Sequence, residues 1–274
     1  MIPLRDTIPS ERPPVVTWAL IAACAVVYLW QCALDLEPTG YKRTVRMGWK
    51  TRQVKETQND RFVERWGAIP FVVIRGYVPV KGIDRRLLLP VEYEIREPVP
   101  LKRRFAPLLA SLFLHGSLLH LLSNMWFLFI FGDNVEGRLG HGVFLLFYLA
   151  GGIVASLAHV VANPSSAAPI VGASGAISAV LGAYLLLFPG AFVVTLVPIF
   201  IFPLMIHVPA VLFLGLWFFT QITNGFGALV DTTGGIAWFA HIGGFLFGVA
   251  MVFVNYPKWR RPRLRYTRAE PVAS

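Results

Sequence analysis

Charge is what this sequence has least of. Asp, Glu, Lys and Arg make up 15% of its 274 residues and hydrophobic side chains 55%, with a mean hydropathy of +0.60, whereas soluble domains carry about 25% charged residues. A water-soluble fold cannot hide that much apolar surface, so a single integral membrane domain is expected. Cysteine is nearly absent too. Cys24 and Cys32 both fall in the first apolar run, which excludes a disulfide framework. No HExxH occurs, and no histidine pair has carboxylate or cysteine company at ligand spacing, so no metal site and no cofactor are expected. No small-residue cleavage site follows the first apolar run, which is therefore expected to be retained as a span rather than removed as a signal peptide.

Long apolar runs are abundant instead. They fall near 15–34, 117–135, 142–162, 172–188, 208–223 and 237–255, each close to the ~20 residues that cross a hydrocarbon core as a helix. The stretch 176–219 holds no charge apart from His207 over 44 residues, too many for one crossing, and Pro189, Gly190, Pro198, Pro203 and Pro209 interrupt it. Two spans joined by an embedded or interfacial connector around 190–207 are expected there. The fold class is thus an all-α polytopic membrane protein with six transmembrane helices and an enlarged loop after the first.

The expected organisation is a cytoplasmic segment 1–14, a first helix 15–34, an extracytoplasmic insertion 35–104, a core 105–256 with five more helices, and a basic cytoplasmic tail 257–274. Six spans put both ends on one side, and Lys258, Arg260, Arg261, Arg263, Arg265 and Arg268 mark that side as inner. The insertion opposes this with 16 Lys/Arg against 9 Asp/Glu, but charge bias orients chains mainly through loops shorter than about 60 residues. Within it, 61–67 reads as a short helix, while 71–80 and 87–96 alternate as a hairpin around Gly82 would. The net charge of +10 sits in tails and one loop flanking apolar segments. That placement points to a bilayer and to no nucleic acid. Nothing sets an oligomeric state.

Polar groups at membrane depth are costly and default to function. The second, fourth and sixth spans all start on the outer side. His115, His120 and Asn124 open the second, Gly172-Ala173-Ser174-Gly175 the fourth, and His241 the sixth. His120 and Asn124, four apart, share a helix face. Ser174 stands between glycines at a helix start, where free backbone N–H groups and the helix dipole suit an oxyanion. Gly244 and Gly248, in the stretch after His241, form a small-xxx-small face for close packing. If that face meets the fourth helix, His241 reaches Ser174, giving a nucleophile, a base and oxyanion donors as acyl transfer requires. The only nearby acid is Asp231, ten residues before His241 in a Gly/Thr-rich loop, and a two-residue dyad is the better reading.

These stretches resemble the rhomboid family of intramembrane serine proteases. FLHGSLLHLLSNMWFLFIFGDNVEGRLG at 113–140, VGASGAISAVLGAY at 171–184 and AWFAHIGGFLFGVA at 237–250 carry the likeness, with PVVTWALIA near the first span and PAVLFLGLWFFTQ at 209–221. The resemblance implies a bacterial-type enzyme in the cell membrane, its site facing the extracytoplasmic side. It implies a Ser174 nucleophile, a His241 general base, and an oxyanion site of His120, Asn124 and the Ser174 backbone. It also implies cleavage of single-pass transmembrane proteins, with Trp217, Phe218 and Phe219 on the fifth span as gate residues. Two departures stand out. Many relatives have a Trp-Arg pair where this sequence reads Lys102-Arg103-Arg104-Phe105, which leaves the anchoring of the first loop open. Some have an aromatic residue four after the serine that packs on the histidine, where this sequence has Ser178.

Blander readings accompany the sharp ones. A lone serine in a transmembrane helix is usually a packing residue, and His120 with Asn124 also suits a polar clamp between helices. His115 reads as structural, bonding loop backbone above the site. Glu136 and Arg138 read as a clamp at the inner end of the second span, and His141, His159 and His207 as surface or packing residues. The alternative to an enzyme is a catalytically silent rhomboid-like protein that binds transmembrane clients. A transporter is disfavoured by the lack of intramembrane acids and paired broken-helix repeats.

Overall fold

The computed structural model describes residues 2–47, 50–77, 80–84, 89–93, 98–199, 202–230 and 236–259. In chain order these form β1 (Ile2–Asp6), α1 (Val15–Asp35), β2 (Pro38–Met47), β3 (Lys50–Thr57), α2 (Gln58–Trp66), α3 (Pro70–Arg75), β4 (Val80–Asp84), β5 (Leu89–Tyr93), α4 (Leu101–Phe105) and α5 (Pro107–Ala110). A 3-10 turn (Ser111–Phe113) precedes α6 (Leu118–Leu139), α7 (His141–Ala162), α8 (Ser174–Leu187), β6 (Phe192–Ile199), β7 (Phe202–Pro209), α9 (Ala210–Val230) and α10 (Trp238–Trp259).

Among the described residues five helices, α1, α6, α7, α9 and α10, are long and apolar enough to cross a membrane. The remaining expected span, α8, has 14 residues and rises only ~21 Å at 1.5 Å per residue, short of a ~30 Å hydrocarbon core. Strand pairing nonetheless counts it as a crossing. β1 pairs antiparallel with β6, so residues 2–6 and 192–199 share one side of the bilayer. That requires an even number of crossings between them, which α1, α6, α7 and α8 supply. A helix this short is accommodated because it is enclosed: most of its residues, from Gly175 to Leu187, are buried, and α6, α7, α9 and α10 pack around it. The core around it is built from Leu128, Phe131, Phe144, Tyr148, Leu181 and Tyr184. Large apolar side chains such as Leu119, Leu146, Phe253 and Val254 point outward instead, as lipid-facing surfaces do.

The connector after α8 is a β-hairpin. β6 and β7 pair from Phe192 opposite Pro209 to Ile199 opposite Phe202, and β1 completes the sheet in the order β1-β6-β7. Two polar anchors tie this end of the bundle together. Tyr184 Oη and Asn134 Nδ2 donate to the Asp6 carboxylate at 2.5 and 2.7 Å; burial raises the Asp6 pKa, against the lowering effect of the Tyr184 bond. Glu136, 1% exposed, accepts from the Val16 and Thr17 amides at 2.9 and 2.7 Å and from Thr17 Oγ1 at 2.7 Å. It thereby caps the start of α1. Its other partner is His141, and Arg138 pairs with Glu11 at 3.6 Å. These contacts are those of a helix-terminus clamp.

The insertion after α1 corrects part of the expected pattern. α2 begins at Gln58 rather than 61, because Thr57 and Asp60 form a reciprocal capping box. The first half of the expected strand 71–80 is the helix α3, which Pro70 opens and Gly76, at φ +76°, closes. The hairpin lies further on: Gly82 sits within β4 opposite Val91 of β5, not at the turn. A second hairpin, β2–β3, was not expected from the sequence. Arg104 stands in for the missing Trp-Arg anchor, donating to the Val73 and Ile74 carbonyls at 2.6 and 2.9 Å at the end of α3. Of the basic tail, residues 260–274 lie outside the described residues.

Candidate active site

The N-terminal ends of α6, α8 and α10 converge. Ser174 is the first residue of α8 and His241 lies in the first turn of α10. His241 Nε2 and Ser174 Oγ are 2.8 Å apart. Their approach follows from missing side chains: a Cβ on Gly244 would overlap the Gly175 carbonyl of α8, and one on Gly248 the Ala179 carbonyl. Gly175 in turn sits against Ala155 of α7 and Ala240. Bare backbone surfaces therefore let α10 lie directly on α8, one turn below the two reactive groups.

His120 lies one turn into α6, whose start Ser117 caps by accepting from the His120 amide at 3.2 Å. The Gly116 amide donates to His120 Nδ1 at 3.4 Å. With Nδ1 acting as acceptor, the ring proton resides on Nε2. That edge faces Gly172, where an added Cβ would lie 2.8 Å from both His120 Nε2 and Cε1, and 3.8 Å from Ser174 Oγ. Gly172 has φ +122°, a conformation that L side chains rarely adopt. The half-turn before Ser174 is thus folded tightly over the imidazole. Asn124, one turn below and 6% exposed, donates through Nδ2 to the His120 carbonyl at 2.9 Å. His120, Asn124, Ser174 and His241 all line one cavity of about 960 Å³, as does Gly175, and the first amides of a helix such as α8 have no intrahelical partner.

Loops hold this cleft in shape. Gly172 N–H donates to the Ser111 carbonyl at 2.9 Å. The insertion reaches in as well: Ala68 and Ile170 exchange both backbone hydrogen bonds, and Phe71 N–H donates to the Ser166 carbonyl at 2.9 Å. The 35–104 segment therefore braces the loop leading into Ser174. Above the site His115, 2% exposed, bonds the Phe113 carbonyl through Nδ1 at 3.3 Å, and burial with the neighbouring His120 pushes its pKa down to about 4.

The group that holds His241 escaped the sequence reading. Its Nδ1 lies 2.8 Å from Oε1 of Gln221 on α9, a side chain 6% exposed. Trp217 lies at a 34° tilt to the imidazole and Trp238 is edge-on to it, both with ring centroids 6.1 Å away. Ser178, where some relatives carry an aromatic residue, is buried and donates to the Ser174 carbonyl at 2.6 Å. The signal for Gln221 was present: it lies in the polar run Thr220-Gln221-Ile222-Thr223-Asn224, which interrupts a mostly apolar helix. Of the three residues expected at a gate, Trp217 lines the cavity, Phe218 stacks on Phe245 at 4.3 Å, and Phe219 is 60% exposed. Asp231 lies outside the described residues. His159 lines the cavity, His141 belongs to the Glu136 clamp, and His207 is exposed on β7.

Comparison with known proteins bears on this arrangement. The model of the rhomboid domain matches residues 102–258. Human presenilin-associated rhomboid-like protein, mitochondrial, is 31% identical over 154 residues, covering 53% of this chain and 36% of that protein. The zebrafish presenilin-associated rhomboid-like protein A, mitochondrial, is 31% identical over 183 residues, 62% of this chain and 43% of its own length. Rhomboid protease GluP of Bacillus subtilis is 46% identical over 78 residues, 28% of this chain and 15% of that one. The chain thus spans well under half the length of these curated relatives.

Proposed function

Because the chain belongs to the rhomboid family, we propose that it is an intramembrane serine endopeptidase working through a Ser174–His241 dyad. The observation that carries this reading is the 2.8 Å contact between His241 Nε2 and Ser174 Oγ, inside a cavity that opens among membrane-spanning helices. An alcohol on an imidazole nitrogen, beside unpaired helix-start amides, is what acyl transfer needs.

In this mechanism Ser174 Oγ attacks the scissile carbonyl carbon while its proton passes to His241 Nε2. The negative charge that develops on the carbonyl oxygen is met by His120 Nε2–H, the second Nδ2 hydrogen of Asn124 and the Ser174 backbone N–H. Collapse breaks the C–N bond, and His241 returns the proton to the leaving amine. Water then attacks the acyl-serine with His241 as base again, releasing the acid and restoring the hydroxyl. Seating this chemistry at the start of a helix that falls short of the bilayer thickness favours substrates that are themselves transmembrane. Single-pass membrane proteins are the proposed clients. The GluP relationship, to a protein named as a rhomboid protease, supports proteolysis. We keep a bacterial plasma membrane, with the site extracytoplasmic, as the proposed location; the bacterial relative supports it and the mitochondrial ones do not.

The test is cleavage of a tagged single-pass substrate in proteoliposomes. Ser174→Ala should abolish cutting, His241→Ala should do the same, and Asn124→Ala should lower turnover by about 10²–10³-fold, as loss of one oxyanion donor does. Fluorophosphonate labelling that requires both Ser174 and His241 separates an enzyme from a silent client-binding protein. Undiminished cutting by Ser174→Ala overturns the proposal.

A further inference from the structure

We propose that Gln221 is the positioning residue for His241, so that α9 supplies part of the proton-transfer line as well as one wall of the cleft. The inference rests on the serine-protease reading above. It is carried by a directional chain of hydrogen bonds. Gln221 Nε2 donates to the Trp217 carbonyl at 3.0 Å and to Thr220 Oγ1 at 3.1 Å. A carbonyl can only accept, so the amide nitrogen is committed to that side and Oε1 faces His241. Oε1 in turn only accepts, at 2.8 Å from His241 Nδ1. Nδ1 must therefore hold the ring proton, which leaves Nε2 bare and aimed at the Ser174 hydroxyl, also at 2.8 Å. The chain fixes both the tautomer and the ring orientation that a general base requires. A neutral amide thereby takes the place that a carboxylate fills in a charged triad.

The location of Gln221 gives the bond a second meaning. α9 presents Leu212, Leu216, Phe219 and Phe226 outward, each more than half exposed, while Gln221 is its buried polar contact with the base. Any outward displacement of α9 that widens the cleft for a substrate also separates Gln221 from His241. The base is then competent only with α9 seated, so admission of a substrate and attack on it occur in different states of the same helix.

Gln221 itself does not titrate; among the described residues the ionisable side chains that line the cavity with His241 are His120 on α6 and His159 on α7, and α9 contributes none. The experiment measures kcat, KM and the pH profile of cleavage in proteoliposomes for wild type, Gln221→Leu, Gln221→Glu and Ser174→Ala. Gln221→Leu should lower kcat roughly tenfold with KM nearly unchanged, the loss of one oriented hydrogen bond. Gln221→Glu should retain turnover at high pH. Its acid limb should move to higher pH by about one unit or more, because a carboxylate at Nδ1 stabilises the imidazolium that must be deprotonated first. Packing alone would not move that limb. Wild-type kcat and a wild-type acid limb in both variants overturn the inference, and so does a change confined to KM. Should Gln221→Leu fail to fold, the acid limb of Gln221→Glu decides by itself. Inactive Ser174→Ala beside wild-type Gln221 variants sinks this inference alone, whereas active Ser174→Ala sinks the protease reading beneath it.

Discussion

Gly244 of α10 lies face to face with the backbone carbonyl of Gly175 on α8, one residue beyond Ser174, with no room for a side-chain carbon between them. Backbone cannot rotate out of the way as a side chain can, so a methyl group here pushes the two helices apart where they carry the dyad. Gly244→Ala is expected to cost about 1–3 kcal/mol of stability as an overpacking change and to remove nearly all cleavage by lengthening the Ser174–His241 contact. Gly142→Ala, on α7 with nothing within 4 Å, should leave both unchanged. Thermal midpoints and cleavage rates in one detergent check the pair.

Gly172 offers a sharper separation of folding from chemistry. Its φ of +122° and its closeness to the His120 ring penalise any side chain twice, with strain of about 1–3 kcal/mol and displacement of an oxyanion donor. Gly172→Ala should be produced and inserted normally yet cleave at a small fraction of the wild-type rate, with fluorophosphonate labelling reduced in parallel.

Glu136 should show the opposite pattern. It lies 16 residues from His120 along α6, ~24 Å away at 1.5 Å per residue, and its carboxylate caps α1. Glu136→Ala would strand the Val16 and Thr17 donors in a water-poor environment, costing about 3 kcal/mol. Heat denaturation should shift down markedly, while the specific activity of the surviving folded fraction stays close to wild type.

His115 predicts a pH dependence of stability. Its folded pKa is near 4 against an ordinary 6.5, so between those values the unfolded chain binds a proton that the folded one refuses. Stability contributed by the neutral ring is complete above pH 6.5 and is lost as pH falls toward 4. Replacing it by His115→Asn should flatten the stability profile within that window, measured as the difference between variant and wild-type midpoints at pH 7 and pH 5.

How much of this was legible in sequence depended on how local the signal was. Ser174, His241 and the glycines beside them sit in short motifs whose spacing carries the packing rule, and the six apolar runs fell within a few residues of helices. The sheet was not legible, because a long uncharged run such as 176–219 fits a buried strand as well as a buried helix. Only residues 2–6, some 190 positions away, complete it. The alternation at 71–80 misled for the opposite reason: Pro70 and Gly76 bracket a helical turn, and that punctuation outweighed the two-residue period. Gln221 lay 20 residues before His241, and its relevance depends on the rotation of α9, which no local pattern encodes.

The pairing of β1 with β6 also constrains how the protein is made. Residues 2–6 leave the ribosome long before their partner strand, which emerges only after α1, α6, α7 and α8 have been made. Residues 2–6 must be kept on the side of the bilayer where β6 will arrive throughout that interval. Anything that carries residue 2 across the membrane during synthesis, such as an exported fusion partner, would leave the hairpin with an unclosed edge and Tyr184 without its carboxylate.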